Sequence, residues 1–175
     1  WRFECLQMYG MDSSLRSLPS GGLFADTYDW RDTESGYYYK REHRVTTLDV
    51  LRELRDYRAQ GVWTCNARGW GHRREEDKAW VCDPWSRKQA EDMAKLAADW
   101  VRYTNHIVQT YREGDTIGDP RDRAILDSIK WTDAKGNPLP TLLRRDEPPV
   151  PKAMIWEIGN EPEVGNDAVG AQGMP

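Results

Sequence analysis

The chain has 175 residues, of which 38% are hydrophobic and 31% charged, and its formal net charge at pH 7 is -4. This balance is typical of a folded globular protein, and it argues against both a disordered chain and a basic nucleic-acid-binding domain. No apolar run is long enough to span a membrane. We therefore expect neither a nucleic-acid nor a membrane partner.

Cysteine and histidine give no sign of a metal centre or a disulfide framework. Cys5, Cys65 and Cys82 are odd in number and widely spaced, a pattern that defines neither a set of disulfides nor a zinc site. The three histidines are also far apart and share no metal-ligand spacing. We expect no metal and no cofactor.

The first part of the chain predicts an alternation of strands and helices. Residues 14–22 lead from a short strand into a Gly turn, and a helix begins later, capped by Thr46 or Thr47 and stopped near Gly61. The apolar positions of this helix follow helical spacing: Val50, Leu51 and Leu54. The next predicted strand covers residues 62–66.

A second, longer helix is predicted from the capping-box pattern of Ser86 and Gln89. Its predicted buried stripe contains Ala90, Met93, Ala94, Ala97, Trp100, Val101, Thr104, Ile107, Val108 and Tyr111. Before it, residues 69–74 combine glycines with a basic pair and are interpreted as a solvated loop. After it, the polar stretch 114–151 predicts one short helix at 121–129 and a turn at Gly136-Asn137-Pro138.

Residues 154–163 read Met-Ile-Trp-Glu-Ile-Gly-Asn-Glu-Pro-Glu. The apolar run predicts a short parallel strand covered on both faces, with prolines fixing its ends. Glu161 would lie at the carboxyl end of the strand, where partial burial favours a carboxyl group that holds and delivers a proton. Asn160 offers an acceptor and two donors to a sugar hydroxyl. The alternative reading is an ordinary strand end with a solvated Glu and a turn-forming Asn.

The chain is rich in aromatic residues with a polar edge, with nine Trp and eight Tyr against two Phe. Such side chains stack on sugar rings while donating hydrogen bonds. We assign about two thirds of them to packing, because Trp is heavily buried on average. Trp30, Trp70 and Trp85 follow predicted strands in loops and are the candidates for sugar stacking, whereas Trp100 and Trp131 are assigned to packing.

The stretch Trp-Glu-Ile-Gly-Asn-Glu-Pro at 156–162 resembles the strand-four motif of the clan of retaining (β/α)8-barrel glycoside hydrolases, and especially family 51, the α-L-arabinofuranosidases. Three further segments match the family in the same order: 21–32, with Gly-Gly and Ala-Asp-x-Tyr-x-Trp; 64–69, similar to a Val-Asn-x-Gly strand end; and 97–105, similar to Ala-Ala-x-Trp-Val-x-Tyr-x-Asn. The resemblance implies that Glu161 is the general acid/base and Asn160 its substrate-orienting neighbour. It also implies that Asn66 opens toward the same cleft.

The sequence departs from the family at the early loop, where 17–22 lacks the usual Arg and Leu23 replaces a polar residue. The identity of the sugar is therefore open. Family members carry the nucleophilic Glu near strand seven, whereas only fourteen residues follow Glu161. A complete barrel needs roughly 250 residues.

We accordingly expect the N-terminal half of a (β/α)8 TIM barrel at residues 1–175, with strands one to about four. Its partners would be a carbohydrate substrate and either the remaining half of the barrel or another copy of the chain. The expected function is glycoside hydrolysis. The alternative is a non-catalytic carbohydrate-binding or structural protein derived from such a barrel. The cellular compartment stays open, with a lean toward secretion.

Overall fold

The structure is a computed structural model that describes residues 2–3, 29–32, 46–65, 71–73, 80–82, 86–133 and 135–158. Its elements in chain order are β1 (Arg2–Phe3), α1 (Thr47–Asp56), β2 (Val62–Cys65), β3 (Gly71–Arg73), β4 (Trp80–Cys82), α2 (Arg87–Arg102), a π-helical turn (Tyr103–Ile107), α3 (Val108–Thr110), α4 (Pro120–Ser128) and β5 (Ile155–Ile158).

Three parallel strands form the main sheet, in the order β1-β2-β5. β2 and β5 are rich in β-branched and aromatic residues, which favour strands. Their pairing runs from Val62 opposite Ile155 to Cys65 opposite Ile158. This confirms the predicted strand at 62–66 and the predicted parallel strand in the segment 154–163, while the (β/α)8 barrel stays a prediction. A second sheet pairs β3 with β4 antiparallel, at a place where the sequence had been interpreted as a loop.

Helix α1 has the predicted start and core. The Thr46 hydroxyl accepts a hydrogen bond from the Asp49 backbone, and the Asp49 carboxylate accepts one from the Thr46 backbone, which completes a capping box. Val50, Leu51 and Leu54 are buried as predicted. The helix ends at Asp56, several residues before Gly61.

Helix α2 begins as predicted, because the Ser86 hydroxyl caps the backbone N–H of Gln89. Its buried face matches the predicted stripe in part. Met93, Trp100, Thr104, Ile107 and Val108 are buried as predicted. Ala90, Ala94 and Val101 are exposed, whereas Leu96, Asp99 and Tyr103, which the stripe left out, are buried. The predicted stripe includes the alanines because they are apolar. Asp99 is instead buried with its charge compensated, since its carboxylate accepts a hydrogen bond from Lys95 Nζ at 2.5 Å.

The aromatic core joins the sheet to α2. Its members are Trp30, Trp63, Trp100, Tyr103, Trp131 and Trp156. Trp100 meets Trp63 of β2 and Trp156 of β5 edge to face, with ring centroids 5.6 and 5.5 Å apart. The indole N–H of Trp100 donates to the Thr47 hydroxyl at 3.0 Å, so this one side chain links α2 to α1 and to both strands.

Helix α4 starts at Pro120 and ends at Ser128, which confirms the helix predicted at 121–129. The side chain of Asp119 caps its first turn. Asp122 is fully buried and accepts a hydrogen bond from Arg102 Nε at 2.6 Å, while His106 Nε2 lies 3.1 Å from its second oxygen. These contacts hold α4 against the end of α2 and the π-helical turn.

The π-helical turn places Asn105 opposite the chain that leads into β5. The Asn105 amide donates to the Ala153 carbonyl at 2.8 Å, and its oxygen accepts from the Ala153 N–H at 2.7 Å. The side chain therefore pairs with both backbone groups of one residue, as a residue of a neighbouring strand would. This pairing ties the entry of β5 to a helix 48 residues earlier in the chain.

We expect Asn105→Ala to lower the free energy of unfolding by about 1–3 kcal/mol, because the buried N–H of Ala153 loses its partner. The carbonyl of Ala153 keeps the Trp156 indole as a donor. Chemical denaturation measures the effect. Thr110→Ala, at an exposed position of α3, is the matched control; equal loss in both variants would contradict a specific role for the Asn105 pairing.

A second long-range tie joins α1 to the segment before β5. Arg52 donates to both carboxylate oxygens of Glu147, with Nε to Oε1 at 2.5 Å and an Nη2 contact at 2.9 Å. The hydrogen bond from Arg52 lowers the pKa of Glu147 to about 2, from an ordinary value of 4.5. The carboxylate therefore contributes stability above about pH 4.5, and that contribution is lost as the pH falls toward 2.

Glu147→Gln should accordingly destabilise the protein at pH 7 by on the order of 1–3 kcal/mol and flatten the loss of stability between pH 4.5 and pH 2. Denaturant melts at a series of pH values give the curve. Asp146→Asn removes an exposed carboxylate one residue away and should leave the acid limb of the curve unchanged. An equal loss of stability between pH 4.5 and pH 2 in the wild type and in Glu147→Gln would contradict the assignment of this pH dependence to Glu147.

Candidate functional site

The carboxyl ends of β2 and β5 lie side by side. Cys65, the last residue of β2, is directly opposite Ile158, the last residue of β5. The two strands are parallel, so the chain leaves both of them at the same edge of the sheet. In α/β folds, this edge is where binding and catalytic groups collect.

Most of the sequence-predicted site residues follow these two strand ends. Asn66 comes directly after Cys65, and Asn160 and Glu161 come two and three residues after Ile158. These three residues lie outside the described residues, as do Trp70 and Trp85. What the structure contributes to the site is therefore the relative placement of the two strands that precede it.

The thiol of Cys65 is the closest described titratable group to the end of β2. It is buried and not in a disulfide, and burial raises its pKa to about 11. The thiolate is the reactive form of cysteine. Cys65 is therefore a neutral packing residue near neutral pH rather than a nucleophile.

Strand β5 is fixed to the helices on one side. The Trp156 ring lies 6.0 Å from that of Trp63 and 5.5 Å from that of Trp100, and its indole N–H donates to the Ala153 carbonyl at 3.0 Å. The same carbonyl accepts from Asn105. The strand that leads to Glu161 is thus held by aromatic packing and by hydrogen bonds at its entry.

Strand β5 is only partly covered within the described part of the chain. Ile155 and Ile158 are exposed, Ile158 to 82%, and Glu157 is half-buried. The sequence predicted a strand covered on both faces. Among the described residues of β5, Trp156 is the one that packs against the hydrophobic core.

Trp30 has a different place from the one predicted for it. It was expected in a loop, stacked on a sugar, but it is 1% exposed. Its ring stacks on Trp100 at 6.0 Å and 4° and meets Tyr103 at 5.2 Å. Its indole N–H donates to the Leu96 carbonyl. Trp30 is therefore a core residue, because both the ring and the polar edge are used within the protein. The packing roles predicted for Trp100 and Trp131 are confirmed.

The residue that sequence reasoning missed is Asn105. It closes the family-like stretch at 97–105, but no role was assigned to it. Asn is a poor residue for the interior of a helix, and a buried-face Asn that does not cap a helix indicates a side chain with another partner. The structure supplies that partner in the peptide of Ala153.

Two other side chains of the same stretch form hydrogen bonds with residues far away in the sequence. The Trp100 indole reaches Thr47, and the Tyr103 hydroxyl donates to the Thr141 carbonyl at 2.8 Å. Burial raises the pKa of Tyr103 well above its ordinary value, so the phenol stays protonated and remains a donor. Three residues of the family-like stretch, Trp100, Tyr103 and Asn105, thus connect this helix to the rest of the fold.

Within the described part of the chain, no group of three or more His, Cys, Asp or Glu side chains is arranged to hold a metal ion. None of the described helices has the length and apolarity required to cross a membrane. No protein-family model, no curated protein and no solved structure matches the chain. The resemblance to glycoside hydrolases thus depends on the four sequence segments.

Proposed function

We propose that this chain is the N-terminal half of a retaining glycoside hydrolase of the (β/α)8 type, with Glu161 as the general acid/base. The proposed substrates are plant-type oligosaccharides or polysaccharides, with α-L-arabinofuranosides as the first class to test. Asn160 and Asn66 are proposed to bind the substrate, together with Trp70. Trp30 is left out because it is buried in the core.

The observation that supports this proposal best is the register of the parallel strands. Cys65 and Ile158 are paired at the ends of β2 and β5, so the segments that begin with Asn66 and with Gly159 start from one sheet edge. A barrel enzyme collects its catalytic residues from the ends of different strands at that edge. The register is therefore the one that a joint site of Asn66 and Glu161 needs.

The proposed reaction has two steps. In the first, a carboxylate nucleophile outside this sequence attacks the anomeric carbon while the glycosidic C–O bond breaks, and Glu161 gives its proton to the leaving oxygen. In the second, the Glu161 carboxylate takes a proton from water as that water attacks the anomeric carbon and releases the nucleophile. Asn160 would hold a sugar hydroxyl in both steps.

The stereochemistry of the product tests this proposal. We expect the full-length protein to hydrolyse an aryl α-L-arabinofuranoside with retention, so that proton NMR shows the α anomer before mutarotation. First formation of the β anomer would contradict the two-step mechanism. Binding of arabino-oligosaccharides without any hydrolysis would favour the alternative, a non-catalytic carbohydrate-binding protein.

A further inference from the structure

Two adjoining cavities lie on the surface between α2, α4 and the segment 29–32. The larger has a volume of about 370 Å³ and the smaller about 200 Å³. Arg31 and Ser128 line both of them, so the two cavities adjoin, and together they are called the groove. The groove is remote in sequence from the ends of β2 and β5, and no role in glycoside hydrolysis is proposed for it.

The groove has cationic side chains on both of its walls. The larger cavity is lined by Lys95 of α2 and Arg121 of α4, the smaller by Lys130, and Arg31 lies between them. Four cationic side chains thus surround a space that accommodates a small molecule. The remaining lining of the larger cavity includes the apolar side chains of α4, Ala124 and Ile125.

Three carboxylates also line the groove: Asp99 in the larger cavity, and Asp29 and Asp32 in the smaller. The Asp99 side chain is 7% exposed, whereas those of Lys95 and Arg121, which contact it at 2.5 and 3.5 Å, are 73% and 58% exposed. Asp29 is likewise more buried than Arg31, which it holds through two hydrogen bonds. At Asp99 and Asp29, a ligand that enters the groove therefore meets the positive groups first.

The pairing with Asp29 also fixes the orientation of Arg31. Arg31 Nε and Nη2 donate to the two oxygens of Asp29 at 2.9 and 2.7 Å, and this hydrogen bonding raises the pKa of Arg31. A planar guanidinium held in one orientation is well suited to bind an oxyanion. Lys95 of α2 and Arg121 of α4 add two further positive charges to the lining.

We propose that the groove lined by Arg31, Lys95, Arg121, Ser128 and Lys130 binds the oxyanion group of a small ligand. A carboxylate of an acidic sugar and a phosphate group share this chemistry. The site does not depend on the proposed hydrolase activity. Arg31 belongs to the family-like segment 21–32, but none of the lining residues belongs to the motif at 156–162 that carries the catalytic assignment.

Titration of the full chain with inorganic phosphate and with D-galacturonate, at constant ionic strength, tests the proposal. Backbone NMR shifts at Arg31, Ser128 and Lys130 should saturate with a dissociation constant of roughly millimolar order. D-Galactose, which has the same ring without the carboxylate, should leave these signals in place. Tighter binding of galacturonate would assign the acidic sugar as the ligand class, and tighter binding of phosphate would assign the phosphate group.

The double variant Lys95→Gln/Arg121→Gln should weaken binding roughly three- to thirtyfold, the range for two exposed ion pairs. Lys88→Gln/Arg123→Gln is the matched control, since it removes the same two charges from exposed positions of the same helices. It should leave the affinity within twofold, by the usual scale for distant surface charges. The proposal is overturned if neither anion shifts the groove signals, if galactose binds as well as galacturonate, or if both double variants lose affinity equally.

Discussion

Replacing Glu161 by Gln in the full-length protein should slow hydrolysis of natural arabinosides by about 10²–10⁴, the usual contribution of a positioned proton donor. Gln keeps the size of the side chain but cannot give a proton to the leaving oxygen. Substrates with good leaving groups, such as dinitrophenyl glycosides, need little protonation and should lose far less in the first step. Rates measured across a series of aryl glycosides give this dependence as a slope.

The control for this experiment lies two residues further along the chain. Glu163→Gln removes another carboxyl group just beyond the motif at 156–162, and we expect it to leave the leaving-group dependence as in the wild type. Equal losses in both variants would show that the local negative charge matters rather than a proton donor at 161. A uniform loss across all leaving groups in Glu161→Gln would assign to Glu161 a role in binding only.

Trp30→Ala should lower the free energy of unfolding by about 3–5 kcal/mol, the range for truncation of a buried aromatic side chain. The ring packs on Trp100, Tyr103 and Trp131. Its loss also leaves the Leu96 carbonyl without the indole donor. Because marginal domains have little stability in reserve, the variant should melt at a much lower temperature or fail to fold.

Thermal and denaturant melts compare Trp30→Ala with Trp30→Phe and with Tyr57→Ala. Phe keeps much of the apolar ring and should recover part of the stability. Tyr57 is 78% exposed at the end of α1, so its truncation should have little effect. A Trp30→Ala protein of wild-type stability and reduced affinity for sugar would contradict the core role and restore the stacking prediction.

The elements that sequence predicts well are those whose signals are local. Ser86 and Thr46 cap their helices as predicted because a capping side chain bonds to a backbone N–H three residues away. The turn at Gly136 forms because Gly adopts its positive φ of 84° without strain. Strands β2 and β5 were also predicted, since each is a short run of β-forming residues with a Gly or a Pro close to one of its ends.

The parts that were not predicted depend on contacts between distant segments. The pairing of Asn105 with Ala153 joins residues 48 positions apart, and no local pattern encodes it. Trp30 follows acidic and polar residues typical of a loop, yet the Trp131 indole donates to its backbone carbonyl from 101 residues away. The burial of Asp99 in α2 depends on its ion pairs with Lys95 and with Arg121 of α4, whereas the predicted stripe was drawn from apolar residues.

The candidate site likewise has one part that the sequence predicts and one part that depends on contacts between distant segments. Its chemistry comes from the motif at 156–162 and from a family resemblance, both of which belong to the sequence. Its placement comes from the strand register, in which Cys65 is opposite Ile158. Of the six candidate site residues, only Trp30 lies within the described residues, and its burial assigns it to the core.

The most direct test of Glu161 as general acid/base is the product that Glu161→Gln forms from a dinitrophenyl arabinoside in the presence of azide. Such a substrate still forms the glycosyl intermediate, and azide attacks it without a general base. We expect azide to accelerate turnover and to give the glycosyl azide of retained configuration, while the wild type gives only the free sugar. No acceleration and no glycosyl azide from the variant would contradict the assignment of Glu161.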